Sequence, residues 1–88
     1  MRELMLHIAS AVVMARPTSQ HDVAAQIASL DGADVAAVEC GRIIVVLEAS
    51  QQDQIADTLH RIAALDHVLS ATLVFEHSEG MERSHEPA

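Results

Sequence analysis

The chain has 88 residues, 50% of them hydrophobic, and its 13 carboxylates outnumber 5 arginines to give a formal net charge of −8. A chain of this length forms one domain, with room for one sheet and one layer of helices. The acidic balance argues against a phosphate-binding surface, and therefore against nucleic acid as a partner.

A strand and a helix are predicted at the start of the chain. Residues 6–15 are apolar, small and partly β-branched, which is typical of a buried strand. Pro17 ends this strand because proline has no amide hydrogen to donate to a sheet. Ser19 and Asp22 have the spacing of a helix capping box. Apolar residues then recur at helical spacing as far as Leu30, which predicts a helix with one buried face.

Two strands joined by a tight turn are predicted next. Gly32 ends the first helix, and residues 34–39 form a short strand. Residues 42–48 give the strongest strand signal in the chain, because their central positions are uninterrupted Ile, Val and Leu. Only Cys40 and Gly41 separate the two segments, so the pattern predicts a hairpin.

A second helix and a last strand complete the pattern. Ser50 and Asp53 repeat the capping-box spacing, and apolar residues at helical spacing continue to Leu65. The last strand is predicted over residues 68–76, where apolar and polar residues alternate. Residues 78–88 are polar and acidic, which predicts a disordered C-terminal tail.

The order of elements, βαββαβ, predicts an α+β fold of the ferredoxin-like type over residues 1–77. A weak internal repeat supports two equivalent halves, since residues 27–31 resemble residues 62–66. Right-handed crossovers place both helices on one face of a four-stranded antiparallel sheet with strand order 4-1-3-2. The other face of the sheet is therefore expected to be uncovered.

Side-chain alternation assigns residues to the two faces. Ser10, Arg42 and Glu48 mark the outward parity in the first and third strands. In the last strand the apolar parity, which includes Leu69 and Phe75, is expected beneath the helices. The predicted uncovered face, with two carboxylates at its rim, consists of Ile8, Ser10, Val12, Met14, Ile44, Val46, Glu48, Ser70, Thr72, Val74 and Glu76.

An uncovered sheet face with an aliphatic centre is expected to contact a partner. A helical peptide would bury its apolar side there and place basic residues against the carboxylates, and the flexible Met14 side chain suits such a contact. A homodimer that stacks sheet on sheet, or the β-propensity of Val and Ile alone, would explain the same pattern. The sequence is compatible with a monomer or a weak homodimer.

Three strand motifs, in this order and spacing, resemble one family. The first strand has S-x-V-V at residues 10–13, the third has I-V-V-x-E-A at 44–49, and the last has V-L-x-x-x-L-V at 68–74. Over residues 6–77 the chain resembles the NapD family. The resemblance implies a cytoplasmic chaperone that binds the twin-arginine signal peptide of the periplasmic nitrate reductase catalytic subunit. In that family the peptide is held as a helix on the sheet, and export waits until the molybdenum cofactor is loaded.

No catalytic or metal-binding pattern is present, so the protein is predicted to be neither an enzyme nor a cofactor-binding protein. Ser19, His21 and Asp22 share one helical turn and cannot form a hydrolase relay. The histidines lack zinc-binding spacing; they are His7, His21, His60, His67, His77 and His85. The lone Cys40 forms no disulfide framework.

Cytoplasmic location without membrane insertion is predicted, because no apolar stretch approaches the length that crosses a bilayer. The main rival function is a small-ligand-sensing regulatory domain of the ACT type, which shares the fold and commonly works as a dimer attached to an enzyme. RNA recognition is disfavoured, because the central strands carry no aromatic platform.

Overall fold

The computed structural model describes residues 5–80 and confirms the predicted order of elements. A single 3-10 turn, Pro17–Ser19, leads from the first strand into the first helix. The strands and helices are β1 (Met5–Ala15), α1 (Gln20–Ala28), β2 (Ala33–Glu39), β3 (Arg42–Ala49), α2 (Gln52–Ala63) and β4 (Val68–Gly80).

The four strands form one antiparallel sheet in the order β2-β3-β1-β4, which confirms the predicted topology. The two central strands, β1 and β3, pair without interruption from His7 opposite Ala49 to Met14 opposite Arg42. Both edge strands are irregular, since the register shifts once between β2 and β3 and twice between β1 and β4. The centre of the sheet is therefore its most regular part.

The core lies between the sheet and the two helices. On β1 and β3 the core side chains are those of the predicted parity, and each is at most 2% exposed: Ala9, Ala11, Val13, Ala15, Ile43, Val45 and Leu47. From the helices, Val23, Ile27, Ile55 and Ile62 join the same cluster. Burial of these aliphatic side chains, at roughly 25 cal/mol per Å² of apolar surface, is the main term that stabilises the fold.

The capping of the two helices differs from the prediction. Ser19 is the N-cap residue of α1, but its side chain makes no capping hydrogen bond. The N-cap of α2 is Gln51, not Ser50, and its backbone amide donates to Oε1 of Gln54 at 3.3 Å. Asp22 and Asp53 lie in the first turn of their helices. There a carboxylate is stabilised by the positive end of the helix dipole.

The last strand departs most from simple alternation. Ala11 pairs with Leu73 and Ser10 pairs with Phe75, so Val74 is an extra residue in a β-bulge. Leu69 is the extra residue of a second bulge, because Ser70 pairs with Met14 and Val68 pairs with Ala15. The expectation that Leu69 and Phe75 lie beneath the helices is wrong: they are 62% and 57% exposed.

The strand β4 also continues to Gly80, beyond the predicted end at Glu76, and pairs there with Met5. The tail predicted over residues 78–88 thus begins in strand, and its part from residue 81 lies outside the described residues. Within residues 5–80, neither helix combines the length and the apolar character that spanning a membrane demands.

Candidate peptide-binding face

The face of the sheet opposite the helices is the candidate site, and we call it the open face. Residues that are cross-strand partners point to the same side of a sheet, so the register arranges this face in rows. Three rows cross all four strands, and in order from β2 to β4 they are Asp34–Val46–Ser10–Phe75, Ala37–Ile44–Val12–Thr72 and Glu39–Arg42–Met14–Ser70. A fourth row crosses only β3, β1 and β4, with Glu48, Ile8 and His77.

The centre of the open face is aliphatic and half-buried. Ile8, Val12 and Met14 on β1, with Ile44 and Val46 on β3, are all of intermediate exposure. Apart from His7, their sequence neighbours of the other parity on β1 and β3 are buried. These five side chains therefore still present apolar surface to solvent.

Most of the side chains expected at the site share this face. The register places nine of the predicted residues on it: Ile8, Ser10, Val12, Met14, Ile44, Val46, Glu48, Ser70 and Thr72. Val74 is the extra residue of the bulge and is 58% exposed.

The prediction that Glu76 lies at the rim of the open face is wrong. Glu76 pairs with the buried Ala9, on the helix side of the sheet, and its Oε2 accepts a hydrogen bond from Nε2 of Gln52 at 2.9 Å. The cause is the bulge at Val74: one inserted residue exchanges the faces of all residues that follow it in the strand.

The same bulge brings two unexpected rings to the open face. Phe75 lies opposite Ser10 and His77 lies opposite Ile8. The ring centroids are 6.3 Å apart with an interplanar angle of 15°, a stacked arrangement. The alternation of Leu69, Ala71, Leu73 and Phe75 conceals this placement, since neither bulge is marked by glycine.

The charges on the open face are unevenly distributed. Among the side chains that the structure describes, its carboxylates are Asp34 and Glu39 on β2 and Glu48 on β3, all exposed, and Arg42 lies opposite Glu39. The side chains of β4 described on this face, Ser70 to His77, include no carboxylate. Over residues 6–78, the open face is therefore acidic along its β2 side and apolar to neutral along its β4 side.

Two recesses border these residues. One of about 280 Å³ lies at the hairpin end of the open face, between Met14, Glu39, Cys40 and Arg42. A larger one of about 360 Å³ lies at the opposite end of β3 and is lined mainly by polar side chains, including Gln54, Asp57 and Arg61. Small-molecule sites are mostly apolar with few polar groups, so the larger recess does not favour a small-ligand sensor.

Among the described part of the chain, no three His, Cys, Asp or Glu side chains converge as metal ligands.

Comparison with known proteins gives one consistent result. The family model described as "NapD protein" matches residues 6–80. The curated Chaperone NapD of Paracoccus pantotrophus is 42% identical over 71 residues, which cover 81% of this chain and 63% of that protein. The chain thus spans somewhat under two thirds of that relative. The solution structure of the E. coli Tat proofreading chaperone NapD superposes with a TM-score of 0.76 at 29% identity, covering 94% of both chains. The chain belongs to the NapD family.

Proposed function

We propose that this protein is a cytoplasmic chaperone that binds the twin-arginine signal peptide of a periplasmic nitrate reductase precursor on its open face. Binding holds back export until the molybdenum cofactor has been loaded, and it involves no catalysis by the chaperone. The observation that carries the proposal is the aliphatic centre of the open face, with carboxylates along one side. The names of the two relatives, a chaperone and a Tat proofreading chaperone, support it.

Affinity would come from apolar burial. A helix laid on Val12, Ile44 and Val46 would cover several hundred Å² of apolar surface, and at ~25 cal/mol/Å² this supplies several kcal/mol before association costs. The side chains of Val and Ile lose little rotamer freedom on contact because they are already stiff at χ1. Micromolar to nanomolar binding is therefore a reasonable expectation for a peptide that is helical when bound.

Selectivity would come from charge. Asp34, Glu39 and Glu48 favour a peptide with basic residues, and the net charge of −8 accelerates its approach. A second copy of the chain would bind this face less favourably than a basic peptide. Stacking two open faces would bring two acidic sides into one interface, where like charges repel.

Calorimetric titration with a synthetic twin-arginine signal peptide tests the proposal. We expect saturable heat with one peptide per chain, and a negative heat-capacity change from apolar burial. A control peptide that keeps the two arginines but has serine in place of its leucines should give little heat, because the apolar contact is lost. Absence of heat with the unaltered peptide, while circular dichroism shows a folded protein, would remove the proposed function. Sedimentation should give the monomer mass; twice that mass would favour the stacked dimer.

A further inference from the structure

The side chains of the open face change in chemical character from the edge strand β2 to the edge strand β4. The row that begins with Asp34 on β2 passes over Val46 and Ser10 and ends with Phe75 on β4. One end of this row is a carboxylate, and the other is the only Phe in a chain without Tyr or Trp. A uniformly apolar partner would gain nothing from the carboxylate end of the row, whereas a partner with one basic end and one apolar end would use both ends.

Two carboxylates define the charged end. Glu39 lies opposite Arg42, so their charges offset one another locally. Asp34 lies opposite Val46, and Glu48 is the next residue of the open face along β3, so Asp34 and Glu48 are diagonal neighbours. Diagonal neighbours in antiparallel strands are roughly 7–8 Å apart. Among the described side chains of the open face, Asp34 and Glu48 are thus the carboxylates that have no cation opposite them on a paired strand, and they lie together at one corner.

Phe75 defines the apolar end. It is 57% exposed, it stacks on His77, and it stands on the open face because of the bulge at Val74. Bulges beside functional sites re-aim side chains, and aromatic side chains are enriched among the residues that dominate binding energy. A large ring exposed in this way contributes little to the core and is available to a partner.

We propose that the bound helix crosses the strands, with its basic end over Asp34 and Glu48 and its apolar remainder over Val12 and Phe75. The inference rests on the proposed function and adds the direction of the peptide. Signal peptides have the matching order, since a positively charged segment precedes the apolar one. Four strands at a spacing of about 4.8 Å are about 14 Å across, which about ten helical residues span.

Paramagnetic labels on the peptide test the direction. A synthetic peptide, with two arginines followed by an apolar segment, carries a nitroxide at either its basic or its apolar end and is added to isotopically labelled protein. The basic-end label should broaden the amide signals of Asp34 and Glu48 most strongly, and the apolar-end label those of Phe75 and His77. The reverse pattern would overturn the proposed direction of the peptide, provided that the calorimetric heat of binding persists. The same holds for a pattern in which the two labels broaden signals at opposite ends of the strands rather than on opposite edge strands. Absence of both broadening and heat would overturn the proposed function itself.

Charge replacement tests the same arrangement independently. Asp34→Asn and Glu48→Gln are each expected to weaken binding of the arginine peptide about tenfold at low salt, with little effect on a peptide that has glutamine in place of both arginines. The matched control Glu76→Gln, on the helix side, should leave affinity unchanged. Phe75→Ala should weaken both peptides by about tenfold or more. Equal losses from Glu76→Gln and Glu48→Gln, or no loss from Phe75→Ala, would contradict the proposal.

Discussion

Val12→Asp is expected to abolish binding of the signal peptide while the protein remains folded. Val12 lies on the central strand β1 between Ile44 and Thr72, in the middle of the open face, and it is half-buried. In the free protein an aspartate there keeps contact with water. In the complex it would be covered by the apolar side of the helix without a partner, which costs several kcal/mol. We expect at least about a 100-fold loss of affinity in the calorimetric titration.

The adjacent residue provides the matched control. Val13 has the opposite parity and is fully buried in the core with Ile27 and Ile62. Val13→Asp should therefore unfold the domain, because its carboxylate would have neither water nor a cation nearby. Chemical denaturation of the two variants distinguishes the faces. An unfolded Val12→Asp together with a folded Val13→Asp would reverse the assignment of the open face.

Gly41→Ala is expected to lower the free energy of unfolding by about 2–4 kcal/mol. Gly41 has a φ of 81°, and a Cβ built there would lie 2.6 Å from the carbonyl oxygen of Ala15. Its amide donates to Oε1 of Gln20 at 2.6 Å, and its carbonyl accepts from the amide of Ala15 at 2.7 Å. A methyl group would thus strain the turn and push it away from the end of β1 and the start of α1. Thermal unfolding should show a melting temperature lower by about 10 °C or more.

Cys40→Ala is the control for this turn. Cys40 has a φ of 51° and is exposed, so alanine at this position keeps the same backbone and the same Cβ. A change of less than about 0.5 kcal/mol is expected, as for most surface substitutions. If Gly41→Ala were as mild as Cys40→Ala, the close approach of the turn to Ala15 would not be a stabilising feature of the fold.

The sequence predicted the fold and the central strands well because their physical signals are strong. On β1 and β3 the alternation is anchored by residues such as Ser10 and Glu48, and pairing without interruption preserves it along both strands. The core parity of these strands was therefore predicted correctly. The hairpin was also evident, since only Cys40 and Gly41 separate its strands.

The last strand could not be assigned in the same way. A β-bulge changes the face of every residue beyond it, and an unbroken pattern from Leu69 to Phe75 contains no glycine or other marker of the insertion. The first helix has the predicted N-cap Ser19, whereas the start of α2 is displaced from the prediction. Ser50 and Asp53 fit the usual capping pattern, but α2 begins one residue later, where Gln54 contacts the amide of Gln51. Local spacing alone does not determine which of two adjacent starts is used.

The irregular edges of the sheet bear on solubility. An unpaired strand edge offers backbone donors and acceptors to other chains, and exposed apolar edges promote aggregation. Here β2 carries one register shift and β4 carries two, whereas the inner pair β1 and β3 has none. A foreign strand could add to β4 over only a few residues before meeting the bulge at Leu69 or Val74. The irregular edges therefore limit growth of the sheet into fibrils, although the open face presents apolar surface.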